Sequence, residues 1–206
     1  MEKNSNIVIG IVALIVGIGI GYLASGGSFR DSGGYMMPGG FTASQNIDRH
    51  FIEEMIPHHE GAIEMAKLAL LRSKRPEMLS LSNGIIEAQE REINNMKGWY
   101  EAWFGTAVPA YSSGMMGGMG HGVGMQMGSM EGDLDALAAA SAADFDRVFI
   151  RQMIPHHEMA VMMARMLTAG TARDEMKQLA GDIITSQSQE IEMMRGWLLA
   201  WYGLEN

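Results

Sequence analysis

The chain predicts an all-α protein, a four-helix bundle built from two antiparallel helical hairpins and preceded by one membrane-spanning helix. Three observations predict it. Residues 49–105 repeat as residues 147–203 at a constant offset of 98, without a gap and with 27 identities in 57 positions. In each copy the apolar residues recur at steps of three, four and seven, the period of a buried helix face. Ahead of both copies, residues 7–24 form an unbroken apolar run.

Residues 1–6 read as a short cytoplasmic tail. Residues 7–24, IVIGIVALIVGIGIGYLA, carry no charge. Eighteen residues at 1.5 Å each span about 27 Å, just enough for a bilayer core. The basic start at Lys3 favours an inside N-terminus with the remainder exported. A cleaved signal peptide is the rival, although its apolar core is usually about 7–15 residues. Residues 25–41 are a Gly-rich linker.

The first hairpin occupies residues 42–105. Thr42 with Gln45 resembles an N-terminal cap. The first helix carries Phe51, Met55, Ala62, Met65, Ala66 and Ala69 on one stripe, and ends near Arg72, where Ser-Lys-Arg-Pro supplies a turn. The second helix carries Met78, Leu81, Ile85, Gln89, Glu92, Met96, Trp99 and Trp103. Residues 106–132 form a linker dominated by Gly and Met. It is too rich in Gly to bury a core, because ordering Gly costs the most backbone entropy. The second hairpin occupies residues 133–206. It starts with a short Ala/Leu helix over 133–140, Ser141 with Asp144 as a cap, and a break at Thr168-Ala-Gly170-Thr. Short turns make each hairpin antiparallel. Two hairpins bury their stripes most economically against each other. Dimerisation through single hairpins is the less economical alternative.

Composition narrows the chemistry. The chain has 21 Met against 14 Leu, and no Cys. Disulfides, thiolate zinc sites, thiolate-bound clusters and Cys nucleophiles are excluded. A soft-metal site must therefore use thioether or imidazole. A net charge of −9 argues against nucleic acid, which needs a basic face. No catalytic triad, phosphate loop or nucleotide fingerprint occurs, so no enzyme is expected.

The string Met-Ile-Pro-His-His-Glu stands in both copies. On a helical wheel, His58 and His59 flank the buried stripe, as do His156 and His157. Met55, His58 and Met65 share one side, as do Met153, His156 and Met163, and Met159, Met162 and Met166 enrich the second copy. Pro57 and Pro155 either interrupt a helix, at about 3 kcal/mol, or open a new one at little cost. Gln89, Glu92, Gln187 and Glu190 break otherwise apolar stripes. A buried carboxylate needs a partner, and the neighbouring His pair is the obvious one. Such a carboxylate fixes the tautomer of a metal-ligating imidazole, or simply locks two helices together. Most helical Met are adaptable core filler. In the second linker, Met115, Met116, Met119, Met125, Met127 and Met130 surround His121 on a Gly tether, where packing explains little. Such a tether can wrap a Cu(I) ion.

The strings FIEEMIPHHEGAIEMA with QEREINNMKGW, and FIRQMIPHHEMAVMMA with QSQEIEMMRGW, resemble the family called domain of unknown function 305. The resemblance covers residues 42–105 and 132–203. It implies a ferritin-like four-helix bundle in exported proteins tied to copper binding and tolerance. Carried over by position, it points to Met55, His58, His59, Met65, Gln89, Glu92 and Met96, and to Met153, His156, His157, Met163, Gln187, Glu190 and Met194. The copies differ at Glu64 against Met162 and at Asn95 against Met193.

The expectation is a membrane-anchored, extracytoplasmic copper-binding protein that sequesters or transfers Cu(I), with Cu(II) or silver as further cargo. A homo-oligomer or a copper-handling protein is the expected partner. One alternative is a structural module in which His–Glu pairs lock the bundle. A di-iron oxidase fits poorly, since Gln152 stands where the first copy has Glu54 and the carboxylate count is low.

Overall fold

The computed structural model describes residues 43–110 and 129–203. They form five helices: α1 (Ala43–Arg72), α2 (Pro76–Phe104), α3 (Ser129–Ala139), α4 (Phe145–Gly170) and α5 (Asp174–Tyr202). No strand occurs among the described residues. The apolar run 7–24, the linker at 25–41, Thr42, and the tether residues Met115, Met116, Met119, His121, Met125 and Met127 lie outside the described residues, as does the side chain of Met130. Among the described residues no helix is long and apolar enough to cross a membrane.

Local chemistry sets the helix ends. Pro76 opens α2, where its missing N–H is not needed. At both hairpin turns a hydroxyl oxygen accepts a backbone N–H: Ser73 from Arg75 at 3.2 Å, and Thr171 from Arg173 at 3.1 Å. Gly105 closes α2 at φ 69° and Gly203 closes α5 at φ 64°, left-handed positions that favour glycine. Ser141 accepts the Asp144 N–H at 3.1 Å and donates to its Oδ2 at 2.8 Å. That box stabilises the turn before α4 rather than its first turn. The short helix α3 starts at Ser129, inside the stretch expected to be linker. Its C-terminal carbonyls are capped from a distance by the Arg72 guanidinium, at 2.6 Å from Ala138 and 2.5 Å from Ala140.

Both prolines lie inside continuous helices. The interrupting reading therefore holds over the helix-opening one. Pro57 and Pro155 each leave a carbonyl one turn back without its helical partner.

α1 packs on α2, α4 packs on α5, and the hairpins meet mainly through α1 against α4. α1 and α4 run antiparallel, since Ile47 meets Gly170 at one end and Arg72 lies over the Phe145 ring at the other. The offset of 98 maps one hairpin's contacts onto the other's. Arg173–Asp48 and Arg75–Asp146 are both 3.3 Å ion pairs. Arg173 covers Trp103 and Arg75 covers Trp201. The repeat is thus an internal pseudo-twofold, with four long helices meeting inside one chain.

One stripe is rotated from expectation. In α2 the buried line passes through Ile93 and Tyr100, while Trp99 and Trp103 stack on each other at the half-buried edge. Tyr100 tolerates burial because its hydroxyl donates to Glu53 at 2.5 Å.

Candidate metal centre

The pseudo-twofold passes between His58 and His156, because the offset exchanges those two residues. Their ring centroids are 3.8 Å apart. His59 lies 6.3 Å from His58, and His157 lies 6.2 Å from His156. Four imidazoles therefore form one layer at the α1–α4 contact. The helical period places them there: consecutive His on a helix point about 100° apart, so each pair straddles the buried stripe.

The outer members of the layer are oriented by carboxylates. His59 Nε2 lies 2.6 Å from Glu92 Oε2, and His157 Nε2 lies 2.6 Å from Glu190 Oε2. An ionised carboxylate only accepts, so each imidazole donates from Nε2. That assigns the lone pair to Nδ1, which in both residues is buried without a hydrogen-bond partner. In the inner members, His58 Nδ1 and both ring nitrogens of His156 are likewise buried and unpartnered. Burial, then the neighbouring His59 and His157, pushes the His58 imidazolium down to about 3. Burial, with His58 next, holds His156 well below its usual value. Both inner rings are neutral at physiological pH, the form that ligates metals.

The thioethers are divided between two apolar clusters, in an arrangement the helical wheel does not show. Met55, Met96 and Met163 border or belong to one apolar cluster. Met65, Met153 and Met194 belong to the other. The antiparallel register of α1 and α4 thus groups Met55 with Met163 and Met65 with Met153, across hairpins. The expected set of Met55, His58 and Met65 is split between the two clusters. Met159 and Met193 are half-buried, and Met162 and Met166 are 40% and 58% exposed on the outside of α4. Gln89 and Gln187 do not bond to the His pairs; their Oε1 atoms are buried and unpartnered.

Among the described residues no three His, Asp or Glu side chains form a group able to hold a metal. At the imidazole layer, His, Asp and Glu donors alone do not complete a ligand set, so a metal held there would draw on further donors such as the thioethers. Imidazoles with buried, unpartnered nitrogens, on helices that also bury Met thioethers, suit a soft or borderline cation. The donor chemistry fits copper.

Comparison with known proteins identifies the family. The profile described as Domain of unknown function (DUF305) matches residues 48–198. CopM in its Cu(I)-bound form is 51% identical, with a TM-score of 0.64, covering 76% of this chain and 98% of CopM. CopM is also known in Cu(II)-bound, silver-bound and metal-free forms. A DUF305 protein of Streptomyces coelicolor, named as a candidate secreted protein, is 25% identical at a TM-score of 0.62, covering 77% of this chain and 94% of its own. The uncharacterized protein L153 of Acanthamoeba polyphaga mimivirus is 43% identical over 53 residues, which are 26% of this chain and 35% of that relative. None of these relatives is named as an enzyme. The chain belongs to the DUF305 family.

Proposed function

We propose that this chain is a copper-binding protein that sequesters copper or passes it on outside the cytoplasm. One observation carries the reading: four imidazoles meet at the pseudo-twofold, each with at least one buried ring nitrogen that has no hydrogen-bond partner, while thioethers from both hairpins are buried in the two apolar clusters. His58, His59, His156 and His157 would hold the metal with Met55, Met65, Met153 and Met163, and Met96 and Met194 belong to the same groups. Glu92 and Glu190 orient the outer imidazoles. Cu(I) is the favoured cargo because thioethers are soft ligands. The binding of Cu(I), Cu(II) and silver by CopM supports this choice.

Residues 7–24 would anchor the chain and the tether Met and His121 would collect or deliver the ion. Export agrees with the Streptomyces relative's description. The rival is a ferritin-like bundle locked by His–Glu pairs, without metal. A Cu(I) competition assay on the full chain in detergent, against a colorimetric chelator, separates the two. The proposal expects metal transfer to the protein, and a rise in melting temperature on copper addition that H58A/H156A loses. No transfer, or an equal rise in that variant, rejects it.

A further inference from the structure

A second polar feature lies on the same pseudo-twofold, between α2 and α5. Gln89, Glu92, Ser186, Gln187 and Glu190 line a cavity of about 10 Å³, with Ile85 as an apolar wall. The offset of 98 exchanges Gln89 with Gln187 and Glu92 with Glu190, so the cavity is centred on the axis. Its size suits a single water-sized body.

The lining is rich in acceptors and carries two carboxylates. Gln89 and Gln187 are each 3% exposed, and their Oε1 atoms have no partner. Each Glu gives one oxygen to a His N–H and keeps its other oxygen. The Ser186 hydroxyl donates its proton to the Asp182 carbonyl at 2.9 Å, so its oxygen also offers only lone pairs. The side-chain oxygens around the cavity are all acceptors. One water could serve both carboxamide oxygens, but it brings no positive charge to the two carboxylates beside them. A small cation satisfies all of them at once, and two partly buried carboxylates match a charge of +2. The donor set is oxygen only, which selects hard ions over copper.

We propose that this cavity binds one hard divalent cation of the magnesium, calcium and manganese class. The carboxamide oxygens of Gln89 and Gln187 and the carboxylates of Glu92 and Glu190 hold it, with solvent completing the shell. The site uses no thioether or imidazole as a ligand, and it shares only Glu92 and Glu190 with the copper reading.

Mn²⁺ is the probe, since its free and bound forms differ in electron paramagnetic resonance. The full chain in detergent, stripped with a chelator, is titrated with Mn²⁺. One tight ion per chain is expected. Q89L/Q187L and E92Q/E190Q should each weaken it by more than about tenfold, as loss of even indirect metal partners does. Q89L/Q187L should keep Cu(I) uptake if the copper reading holds, so the two proposals fail separately. Thermal melting checks that each variant folds; if Q89L/Q187L does not, E92Q/E190Q decides. No tight Mn²⁺ on the original chain, or unchanged binding in a folded variant, overturns the proposal.

Discussion

Where the hairpins meet, His59 lies 2.6 Å from Glu92 and His157 lies 2.6 Å from Glu190. On the outside of the same helices the halves part company. Glu64 stands where the second hairpin has Met162, Leu68 where it has Met166, and Asn95 where it has Met193. A groove of about 340 Å³ opens beside Met162, Arg165 and Arg195 on the second hairpin. The positions in the first hairpin are Glu64, Lys67 and Lys97. The two His–Glu pairs are held alike because changing one member leaves the other without its partner. The outer face carries no such constraint.

The comparison can be broken at its strongest point by acid. The His58 imidazole, ordinarily near 6.5, is pushed to about 3 by burial and by its His neighbours. Between those values the unfolded chain binds a proton that the folded chain refuses. Stability of the metal-free protein is therefore full above pH 6.5 and falls as pH drops towards 3, by on the order of a few kcal/mol. Denaturant midpoints at several pH values measure it, and H58Q/H156Q should flatten the profile.

Met55→Ala and Met153→Ala sharpen it next. Both side chains are fully buried. Each truncation should cost about 2–5 kcal/mol through the cavity it leaves, and the two costs should agree closely. Unequal costs in chemical denaturation would mean that the pseudo-twofold is not energetic.

His59→Ala and His157→Ala come third. Each leaves a partly buried carboxylate without its donor, at about 1–3 kcal/mol. The same denaturation measurement should again return near-equal values. The smallest effect belongs to the divergent face. Met162→Ser and Met166→Ser should change stability by less than about 0.5 kcal/mol, because both side chains stand on the exposed face of α4.

The hairpins were legible in the sequence because a duplication and a helical period both repeat. The end of α1 at Arg72 was legible from Ser-Lys-Arg-Pro. So was the bond from each His pair to Glu92 or Glu190, since a carboxylate on a buried stripe demands a donor. The face of α2 was less so. Trp99 and Trp103 look like core, yet they stack at the rim while Tyr100 takes the buried place with its hydroxyl on Glu53. The grouping of Met65 with Met153, and of Met55 with Met163, depends on the antiparallel register of α1 and α4. No local pattern encodes that register. The acceptor-lined cavity was hidden for the same reason, since it forms only when Gln89 and Gln187 meet across the axis.

The central claim is that the buried imidazole layer, together with thioethers, is the copper site. X-ray absorption of the full chain loaded with one equivalent of Cu(I) tests it most directly. The account predicts a mixed shell, with imidazole nitrogen and thioether sulfur on the same ion. A shell of sulfur alone would put the copper away from His58, His59, His156 and His157, and would contradict it.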